Sequence, residues 1–424
     1  MSAEASATAG AATSAVDAGD DAAVAIVGGG PAGAVLAARL ATAGLDVVVL
    51  ERSPAWHWRA GGVFTSPAAV AALRRAGLDA ATLAAVARPI PAMRVETASG
   101  TTFRLTYGTE RGGDPAVGFD RSRLDPILLE RAVAAGVDVR RGWNVTAIQP
   151  ATGSLAARRP DGRHATVRAP VIVGADGAHS VVARATGVAR PVRLDPRIGL
   201  TYHLPDPDPA GCRDARMLVL RDGYVGIAPV AGGRINVGIV LGRSWRPALV
   251  RVGARAVAEA IVKAIPTSED DPAAWRDGEP IDTVAGAWPL GHRVTRRSGP
   301  GWLLVGDAAG FLDPFTGEGL HRALVSAELA AAAIVALHRG RGRGHGHDEA
   351  FEAYDRTMQH RFLAKDAVSW LVQAFLARPL LFDYAARRVA ARPSVRATMG
   401  LVMGDLIPAY RALDPRFLAS LLAP

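Results

Sequence analysis

The chain has 424 residues, 49% of them hydrophobic and 21% charged, which indicates a globular protein with two or three domains and excludes a largely disordered one. Its formal net charge is +9, but no basic block is interleaved with aromatic residues and no apolar run reaches ~20 residues, so neither nucleic-acid binding nor a membrane span is expected. The single cysteine, Cys212, excludes an internal disulfide and a thiolate metal site, and we expect a cytoplasmic protein without a bound metal.

Residues 1–22 are rich in Ala, Ser, Thr and Gly and lack the basic start and apolar centre of a signal peptide. We therefore expect them to form a disordered tail. The stretch that follows, Ala23 to Glu51, predicts a buried strand, a glycine-rich turn, a helix and a second buried strand.

The turn of this unit fits the G-x-G-x-x-G pattern. In that pattern Gly28 makes a tight turn, Gly30 lets the backbone approach a pyrophosphate, and Gly33 lets the helix pack closely on the strands. Pro31 and Ala32 open the helix, whose N-terminus faces the anion. These five residues are predicted to bind a dinucleotide.

Glu51 ends the second strand, 23 positions after the first glycine, close to the ~20 expected for the acid that binds a ribose hydroxyl. A glycine-rich turn in an ordinary α/β unit is the alternative. In the loop that follows, Arg52 and Arg59 are further cofactor candidates, because Arg59 precedes two glycines and can meet a phosphate. Simple packing of Trp56 and Trp58 beneath the loop explains its composition equally well.

Two alternating segments, Met93–Thr97 and Thr102–Tyr107, are joined by Ser-Gly and predict a β-hairpin in another sheet. The chain returns with a helix that opens near Arg121 and runs to Ala135. Arg121 at the helix start is a candidate phosphate ligand, and a solvated surface arginine is the alternative.

A buried strand, Val171–Val173, is followed closely by Asp176. A carboxylate at the carboxyl end of a parallel strand lies where open α/β sheets bind ligands, whereas a helix-capping turn aspartate is the alternative. From about Val188 to Asp282 the sequence is β-rich, with proline clusters between the strands. This region predicts an antiparallel sheet that covers a substrate.

A second informative stretch runs from Gly301 to Leu337. A strand ends in a Gly-Asp pair, and a Pro-Phe-Thr-Gly-Glu-Gly turn launches a long helix whose N-terminus offers N–H groups and a positive dipole to an anion. The cofactor candidates here are Gly306, Asp307, Pro314, Gly317 and Gly319. The polar candidates near a substrate are Tyr202, Tyr224 and His321, each of which is equally well explained by a structural role.

The C-terminal part begins with residues 339–347, a run of Gly, Arg and His that predicts a flexible linker. Residues 348–424 are predicted to be helical, with aromatic and leucine positions among arginines. A cap that packs on the other domains is the first interpretation, and peripheral contact with a membrane surface is the alternative.

Three motifs, the Gly28–Gly33 turn, Asp176-Gly177 and Gly306-Asp307, resemble in order and spacing those of the FAD-dependent family of para-hydroxybenzoate hydroxylase and geranylgeranyl reductase. The resemblance covers most of residues 23–337. It implies that the cofactor is FAD. It also implies that NAD(P)H serves as a transient electron donor, since no second G-x-G-x-x-G is present.

The resemblance also assigns roles to individual residues. The match of Glu51 binds the adenosine ribose, that of Arg121 lies by the pyrophosphate, and that of Val145 touches the adenine through its backbone. The match of Asp307 binds the ribityl or pyrophosphate region. Residues 314–319 are then expected to flank the isoalloxazine.

The fold class implied by the resemblance is α/β (α+β), with a Rossmann-like FAD-binding domain, an inserted antiparallel β-sheet substrate domain and a C-terminal helical region. The expected boundaries are 23–88, 117–187 and 283–338 for the discontinuous FAD-binding domain, 89–116 and 188–282 for the substrate domain, 339–347 for the linker, and 348–424 for the helical region.

Two branches of the family compete. Gly310, where hydroxylases usually have His, favours the reductases. Residues 224–229 lack the tryptophan of the prenyl reductases' aromatic-x-Trp-x-x-Pro segment, and Ala60 stands where many of them have cysteine. The first expectation is therefore an NAD(P)H-dependent monooxygenase acting on an apolar aromatic, polyketide-type or isoprenoid-type small molecule. The alternative is a geranylgeranyl-reductase-like flavoprotein that reduces a C=C bond of a prenyl or related substrate, and a non-catalytic flavoprotein is the third.

Overall fold

The structure is a computed structural model, and it describes residues 20–107, 114–192, 196–266, 273–340 and 347–422. The strands are β1 (Asp20–Asp21), β2 (Val24–Val27), β3 (Val47–Glu51), β4 (Phe64–Thr65), β5 (Ala87–Ile90), β6 (Ala92–Glu96), β7 (Thr102–Thr106), β8 (Ala116–Phe119), β9 (Asp138–Arg141), β10 (Asn144–Gln149), β11 (Ser154–Arg158), β12 (His164–Arg168), β13 (Val171–Gly174), β14 (Ala189–Pro191), β15 (Ile198–Pro205), β16 (Ala215–Leu220), β17 (Gly223–Val230), β18 (Arg234–Leu241), β19 (Ala285–Ala287), β20 (His292–Val294), β21 (Ser298–Gly299) and β22 (Trp302–Leu304).

The helices are α1 (Pro31–Thr42), α2 (Pro67–Arg75), α3 (Ala80–Val86), α4 (Arg121–Ala134), α5 (Val181–Ala185), α6 (Arg246–Lys263), α7 (Gly319–Gly340), α8 (His347–Leu376), α9 (Pro379–Ala391), α10 (Pro393–Met403) and α11 (Pro415–Leu422).

A six-stranded sheet of order β21-β22-β13-β2-β3-β9 forms the first half of the molecule. Its pairings are parallel except for that of β21 with β22. Every residue of β2 and β3 is buried, as expected for parallel strands covered on both faces. Helices α1, α4 and α7 cover one face, and α5 with a four-stranded sheet, β1-β12-β11-β10, covers the other.

A seven-stranded sheet of order β19-β15-β18-β17-β16-β6-β7 forms the second half. Its outer face packs against α6, and its inner face packs against the C-terminal helices and the loop after β3. A small sheet, β4-β8-β5, joins the two halves. At Gly118 a Cβ atom would lie 2.0 Å from the carbonyl oxygen of Pro229. Strands β8 and β17 are therefore so close at this point that only glycine fits.

The C-terminal helices α8 to α11 wrap around α7 and the edge strand β7. By length and composition α7 is apolar enough to cross a membrane, but 61% of its most apolar window is buried within the protein. It packs between α1 and α8 and is therefore a core helix.

The expected fold class is confirmed, and so are the hairpin β6–β7, the β-rich region around β15 to β18, and the helical C-terminal region. The large sheet is not wholly antiparallel, however, because β6 and β16 pair in parallel. The β6–β7 hairpin joins this sheet beside β16, and the path of the chain from the first half of the molecule sets the direction of β6.

Two expected boundaries are wrong. The predicted tail of residues 1–22 includes β1, which pairs with β12, and Ala22, whose N–H donates to the carbonyl of Arg168; residues 1–19 lie outside the described part. The substrate domain does not end at residue 282, because β19 pairs with β15 in the large sheet. Of the predicted linker 339–347, residues 341–346 are not described, and its ends belong to α7 and α8.

Candidate functional site

The glycine-rich turn lies between β2 and α1, and its shape depends on missing side chains. Gly28 has a φ of 103°, and a Cβ there would lie 2.5 Å from the carbonyl oxygen of Ala175. A Cβ on Gly33 would lie 2.1 Å from the carbonyl oxygen of Gly28. A Cβ on Gly30 would meet nothing within 4 Å, so the space in front of this residue is open. Pro31 begins α1 at a position where its missing N–H costs no hydrogen bond.

Glu51 closes this turn from the end of β3. One carboxylate oxygen accepts the N–H of Gly29 at 2.8 Å and the other accepts that of Ser53 at 2.9 Å, while Arg59 lies 3.5 Å away. Burial alone raises the pKa of Glu51, but these hydrogen bonds and the charge of Arg59 hold it below its ordinary value. Glu51 is therefore ionised at neutral pH, with lone pairs left over for hydroxyl donors. Arg52 is exposed on the loop.

Arg121 binds the loop after β3 to the start of α4. Its guanidinium contacts Asp125 at 2.6 and 2.9 Å and donates to the carbonyl of Gly62 at 3.0 Å. Burial lowers the pKa of Arg121, whereas the charges of Asp125 and Asp307 raise it, so the side chain is a cation. The alternative of a solvated surface arginine is wrong.

Two aspartates follow neighbouring strands of the parallel sheet. One oxygen of Asp176, after β13, accepts the N–H of Val181 at 2.6 Å, and the other is buried with no protein partner. Burial raises the pKa of Asp176. Burial also raises the pKa of Asp307, after β22, and the positive charges of Arg121 and Arg322 oppose this shift.

The turn before α7 completes the arrangement. Gly306 has a φ of 59° and donates its N–H to the hydroxyl of Ser326 at 2.8 Å. Gly317 has a φ of 65°, and a Cβ there would lie 2.7 Å from the Phe64 ring. Pro314 begins a 3-10 turn, Gly319 begins α7, and the hydroxyl of Thr316 between them is buried without a partner.

We define the cradle as residues 28–33, Glu51, Arg121, Asp176 and residues 306–319. It fits an FAD molecule on structural grounds. The open space at Gly30 lies beside the N-terminus of α1, which suits a pyrophosphate. The partnerless oxygens of Asp176 and Thr316 are buried acceptors and donors that a polar ligand would satisfy. Val145 is buried in β10, where the pairing with β11 shifts register.

The three predicted substrate residues do not form one group. Tyr224 lies on the inner face of the large sheet, next to the cradle, with its ring edge-on to Phe315 at 5.1 Å between ring centroids. Tyr202 lies on the outer face, packed in the core beneath α6, so its prediction as a pocket residue is wrong. Side chains alternate along a strand, and the sequence alone did not tell which parity of β15 faces inward.

His321 lies in the first turn of α7, where its Nδ1 is 3.2 Å from Asp405. Asp405 also accepts from Lys365 at 2.7 Å and from Ser66 at 3.0 Å. Burial alone raises the pKa of Asp405, but His321 and Lys365 hold it far below its ordinary value. His321 thus belongs to a buried ionic cluster between α7, α8 and α10.

Sequence reasoning missed a polar network beside Tyr224. The Tyr224 hydroxyl donates to Asp313, which also accepts from the N–H of Phe315 at 3.0 Å and from Arg197 at 3.3 Å. Arg197 reaches Gln373 of α8 at 2.6 Å. Burial raises the pKa values of Asp313 and Tyr224. Asp313 directly precedes the Pro314 turn, and its place beside the predicted cofactor residues could have identified it as a site candidate from the sequence.

A second inner-face group was also missed. His203 binds Asp282 through its Nδ1 at 2.6 Å and through its backbone N–H at 2.8 Å. The Trp58 ring lies over His203, 4.4 Å between centroids, and its Nε1 donates to the carbonyl of Thr201 at 3.2 Å. This contact decides that Trp58 packs against the large sheet. No set of His, Cys, Asp and Glu residues in the described ranges is arranged to hold a metal ion.

The chain is similar to known flavoproteins. The family model described as "FAD binding domain" matches residues 21–361. Digeranylgeranylglycerophospholipid reductase 1 of Methanococcoides burtonii is 30% identical over 325 residues, which are 73% of this chain and 74% of the relative.

Two solved structures have a similar fold. A geranylgeranyl bacteriochlorophyll reductase-like protein from Thermoplasma acidophilum superposes with a TM-score of 0.75 at 21% identity, over 95% of this chain and 99% of the other. The flavin-dependent brominase Bmp2 superposes with a TM-score of 0.73 at 21% identity, over 91% of this chain and 93% of the other. At this identity the two structures show the fold alone.

Proposed function

We propose a reaction for this chain from one premise, which is that it belongs to the FAD-binding-domain family and is an FAD-dependent oxidoreductase. The reaction is the reduction of a carbon–carbon double bond in an apolar, isoprenoid-type substrate. NAD(P)H is the proposed electron donor. The observation that carries the proposal is the buried Tyr224–Asp313 pair at the edge of the cradle.

FAD would be held by the cradle. Glu51 would accept from the adenosine ribose, the N-terminus of α1 would face the pyrophosphate, and Arg121 would add a positive charge near it. Asp307 would bind the ribityl chain, and residues 314–319 would flank the ring system. The reduced cofactor supplies a hydride when it is bound.

Saturation of a double bond needs a proton as well as the hydride. The proton goes to the second carbon, so that two hydrogens are added and no atom leaves. Tyr224 can donate its phenolic proton to that carbon, because burial and the neighbouring Asp313 raise its pKa well above its ordinary value and keep it protonated at neutral pH. The positive charge of Arg197 opposes this rise, so it stabilises the phenolate that remains until solvent returns the proton.

The surroundings of Tyr224 favour an apolar substrate. The inner face of the large sheet and helices α8 to α11 form one hydrophobic cluster. Within it lies a cavity of about 100 Å³ lined only by apolar residues of β7 and α8 to α11. Val372 lines this cavity, and the next residue, Gln373, binds Arg197 of the polar network. The cavity wall and the polar network therefore meet at neighbouring residues of α8, and Arg197 and Asp313 link Gln373 to Tyr224.

The named relative supports the same choice, since its substrate class carries prenyl chains and it covers most of this chain. Oxygenation, the first expectation from the sequence, is the second candidate. Gly226 lies on the inner face where the prenyl reductases carry tryptophan, and a Cβ there would meet only Met217 and Gly238, at 3.7 Å or more. The substrate side therefore departs from those reductases.

The two reactions differ in their need for oxygen. The holoprotein is incubated with NADH or NADPH and a detergent-dispersed prenyl lipid or prenylquinone, with and without oxygen. Reduction gives NAD(P)H oxidation that persists without oxygen and a product two hydrogens heavier. Incorporation of label from ¹⁸O₂ into the product would overturn the proposal in favour of oxygenation.

The proton donor is tested separately. Tyr224→Phe should lower substrate turnover by about 10²-fold or more, the usual worth of general acid catalysis, while NAD(P)H still bleaches the flavin at the parental rate. Tyr202→Phe on the outer face is the matched control and should leave both rates unchanged. Equal turnover of Tyr224→Phe and the parent would remove Tyr224 from this role.

A further inference from the structure

An apolar tip projects from the C-terminal helices at the turn between α8 and α9. Residues 377–381, Ala-Arg-Pro-Leu-Leu, are all exposed, with Leu380 at 88% and Leu381 at 38% of their full accessible surface. Single exposed leucines are common on protein surfaces. Here, two adjacent leucines, a proline and an alanine are exposed together on one turn, which is less common.

The tip is a well-formed turn that holds the leucines outward. The N–H groups of Leu381 and Phe382 donate to the carbonyl of Arg378 at 2.9 and 3.0 Å, and Pro379 occupies the first position of α9. Phe382 points inward instead and, with Phe375, lines the apolar cavity of about 100 Å³. The same turn therefore presents leucines to the outside and the cavity wall to the inside.

The chain around the tip is basic. Residues 378–422 contain seven arginines and three aspartates, a net charge of +4. Asp383 is engaged by Thr97 and Arg387 and Asp405 by Lys365, whereas Asp414 is exposed. Arg378 at the tip is itself exposed. An apolar tip that carries an exposed arginine, in a chain segment of net positive charge, is complementary to the surface of an anionic bilayer, with leucines in the acyl boundary and the guanidinium group of Arg378 among phosphates.

A protein partner fits this tip less well. Stable protein interfaces bury on the order of 1,200–2,000 Å², whereas five residues of one turn expose only a small part of that area. A bilayer needs no such area, because insertion of a few leucines is reinforced by diffuse attraction of the arginines.

We propose that the α8–α9 turn inserts Leu380 and Leu381 into an anionic membrane, so that a substrate chain passes from the bilayer to the cavity behind the turn. The passage of substrate rests on the function proposed above, whereas membrane binding does not. The turn is thus the docking surface of a protein that works at the membrane without spanning it there.

The membrane contact is tested by flotation of the FAD-loaded protein with vesicles, followed by flavin absorbance in the floating fraction. Vesicles are phosphatidylcholine alone or phosphatidylcholine with phosphatidylglycerol. The parent should float with the anionic vesicles, and Leu380→Glu/Leu381→Glu should float at least tenfold less. Arg378→Gln should weaken binding to anionic vesicles only. Val250→Glu, at an 89% exposed site on α6, is the matched control and should float like the parent.

Several outcomes would overturn the proposal. These are parental flotation of the double variant, an equal loss in Val250→Glu, or a parent that is dimeric by light scattering and becomes monomeric in the double variant, which would make the tip a contact between copies. If membrane binding is found, the double variant should reduce detergent-dispersed substrate normally and vesicle-embedded substrate poorly. Failure of the parent on both substrate forms would instead contradict the proposed function and leave the docking result standing.

Discussion

At the scale of single residues, Glu51 shapes the glycine-rich turn and is also the proposed acceptor for the adenosine ribose. Its two oxygens accept the backbone N–H groups of Gly29 and Ser53, so they shape the turn before any ligand arrives. The same ionised carboxylate keeps lone pairs that we propose accept from the ribose. A substitution there is therefore expected to affect stability and cofactor affinity together.

Glu51→Gln keeps the shape of the side chain but replaces one acceptor oxygen with an NH₂ group. That NH₂ group must face the backbone N–H of either Gly29 or Ser53, so one hydrogen bond is lost and two donors face each other. We expect FAD to bind ten- to a hundredfold more weakly, in line with about 1.5–3 kcal/mol for a hydrogen bond to a charged group. Fluorescence titration of the apoprotein with FAD measures this. Glu352→Gln, at an exposed glutamate of α8, is the control and should bind FAD normally.

The same substitution has a pH signature. The folded pKa of Glu51 lies below its unfolded value of about 4.3, so its stabilisation is present above that pH and is lost as the pH falls through the folded pKa. The gap in unfolding free energy between the parent and Glu51→Gln should be largest near pH 7 and should close in acid. A gap of constant size between pH 7 and pH 3 would contradict this assignment.

At the scale of elements, the buried ionic cluster fastens the C-terminal helices to the cradle. Lys365 of α8 binds Asp405 at 2.7 Å and the carbonyl of Val402 at 2.9 Å. It also lies 3.8 Å from Glu318, which belongs to the turn before α7. Helices α7, α8 and α10 are thus held together beside the site.

Lys365→Met leaves Asp405 and Glu318, whose side chains are only 12% exposed, without their shared cation. Removal of one partner from a buried ion pair costs about 3–5 kcal/mol, so the variant should unfold at a clearly lower temperature or denaturant concentration. The chain supplies its own control, since Lys263, the other lysine, is exposed at the end of α6 and Lys263→Met should be nearly neutral. Equal stability of the two variants would show that the cluster does not fasten these helices.

At the scale of the whole molecule, substrate access depends on how the C-terminal layer closes over the large sheet. Helix α10 approaches β7 at Gly400, where a Cβ would lie 2.1 Å from the carbonyl oxygen of Thr106. This contact forms one side of the hydrophobic cluster that contains the cavity. The glycine-rich turn and Glu51 of the cradle lie elsewhere, at the ends of parallel strands β2 and β3.

Gly400→Val should therefore push α10 away from β7 and disturb the substrate side while the cradle survives. We expect a loss of stability of about 1–3 kcal/mol, typical of overpacking, and reduced substrate turnover with a normal flavin spectrum. Ala397→Val, on the exposed side of the same helix, is the control for β-branching. Loss of flavin from Gly400→Val would contradict this separation of cradle and cap.

The cradle was largely predictable from the sequence because it is built from local chemistry. The glycines of residues 28–33 must stand where the backbone turns tightly and approaches itself, and Glu51 must end the next strand. Parallel strands also bring their carboxyl ends to one edge, which places Asp176 and Asp307 together. Each of these requirements places a particular residue type at a fixed spacing along the chain, where it can be recognised in the sequence.

The substrate side was not predictable because its residues meet only across the tertiary structure. Tyr202 and Tyr224 look alike in sequence, yet strand parity puts one beneath α6 and the other beside the cradle. Asp313, Arg197 and Gln373 come from separate parts of the chain, so their contacts cannot be predicted from a sequence spacing. The sequence by itself determined the glycine-rich turn and the strand ends that form the cradle. Only the packing of the sheets and helices decided which side chains lie on the inner face of the large sheet, because burial depends on long-range contacts that no local pattern contains.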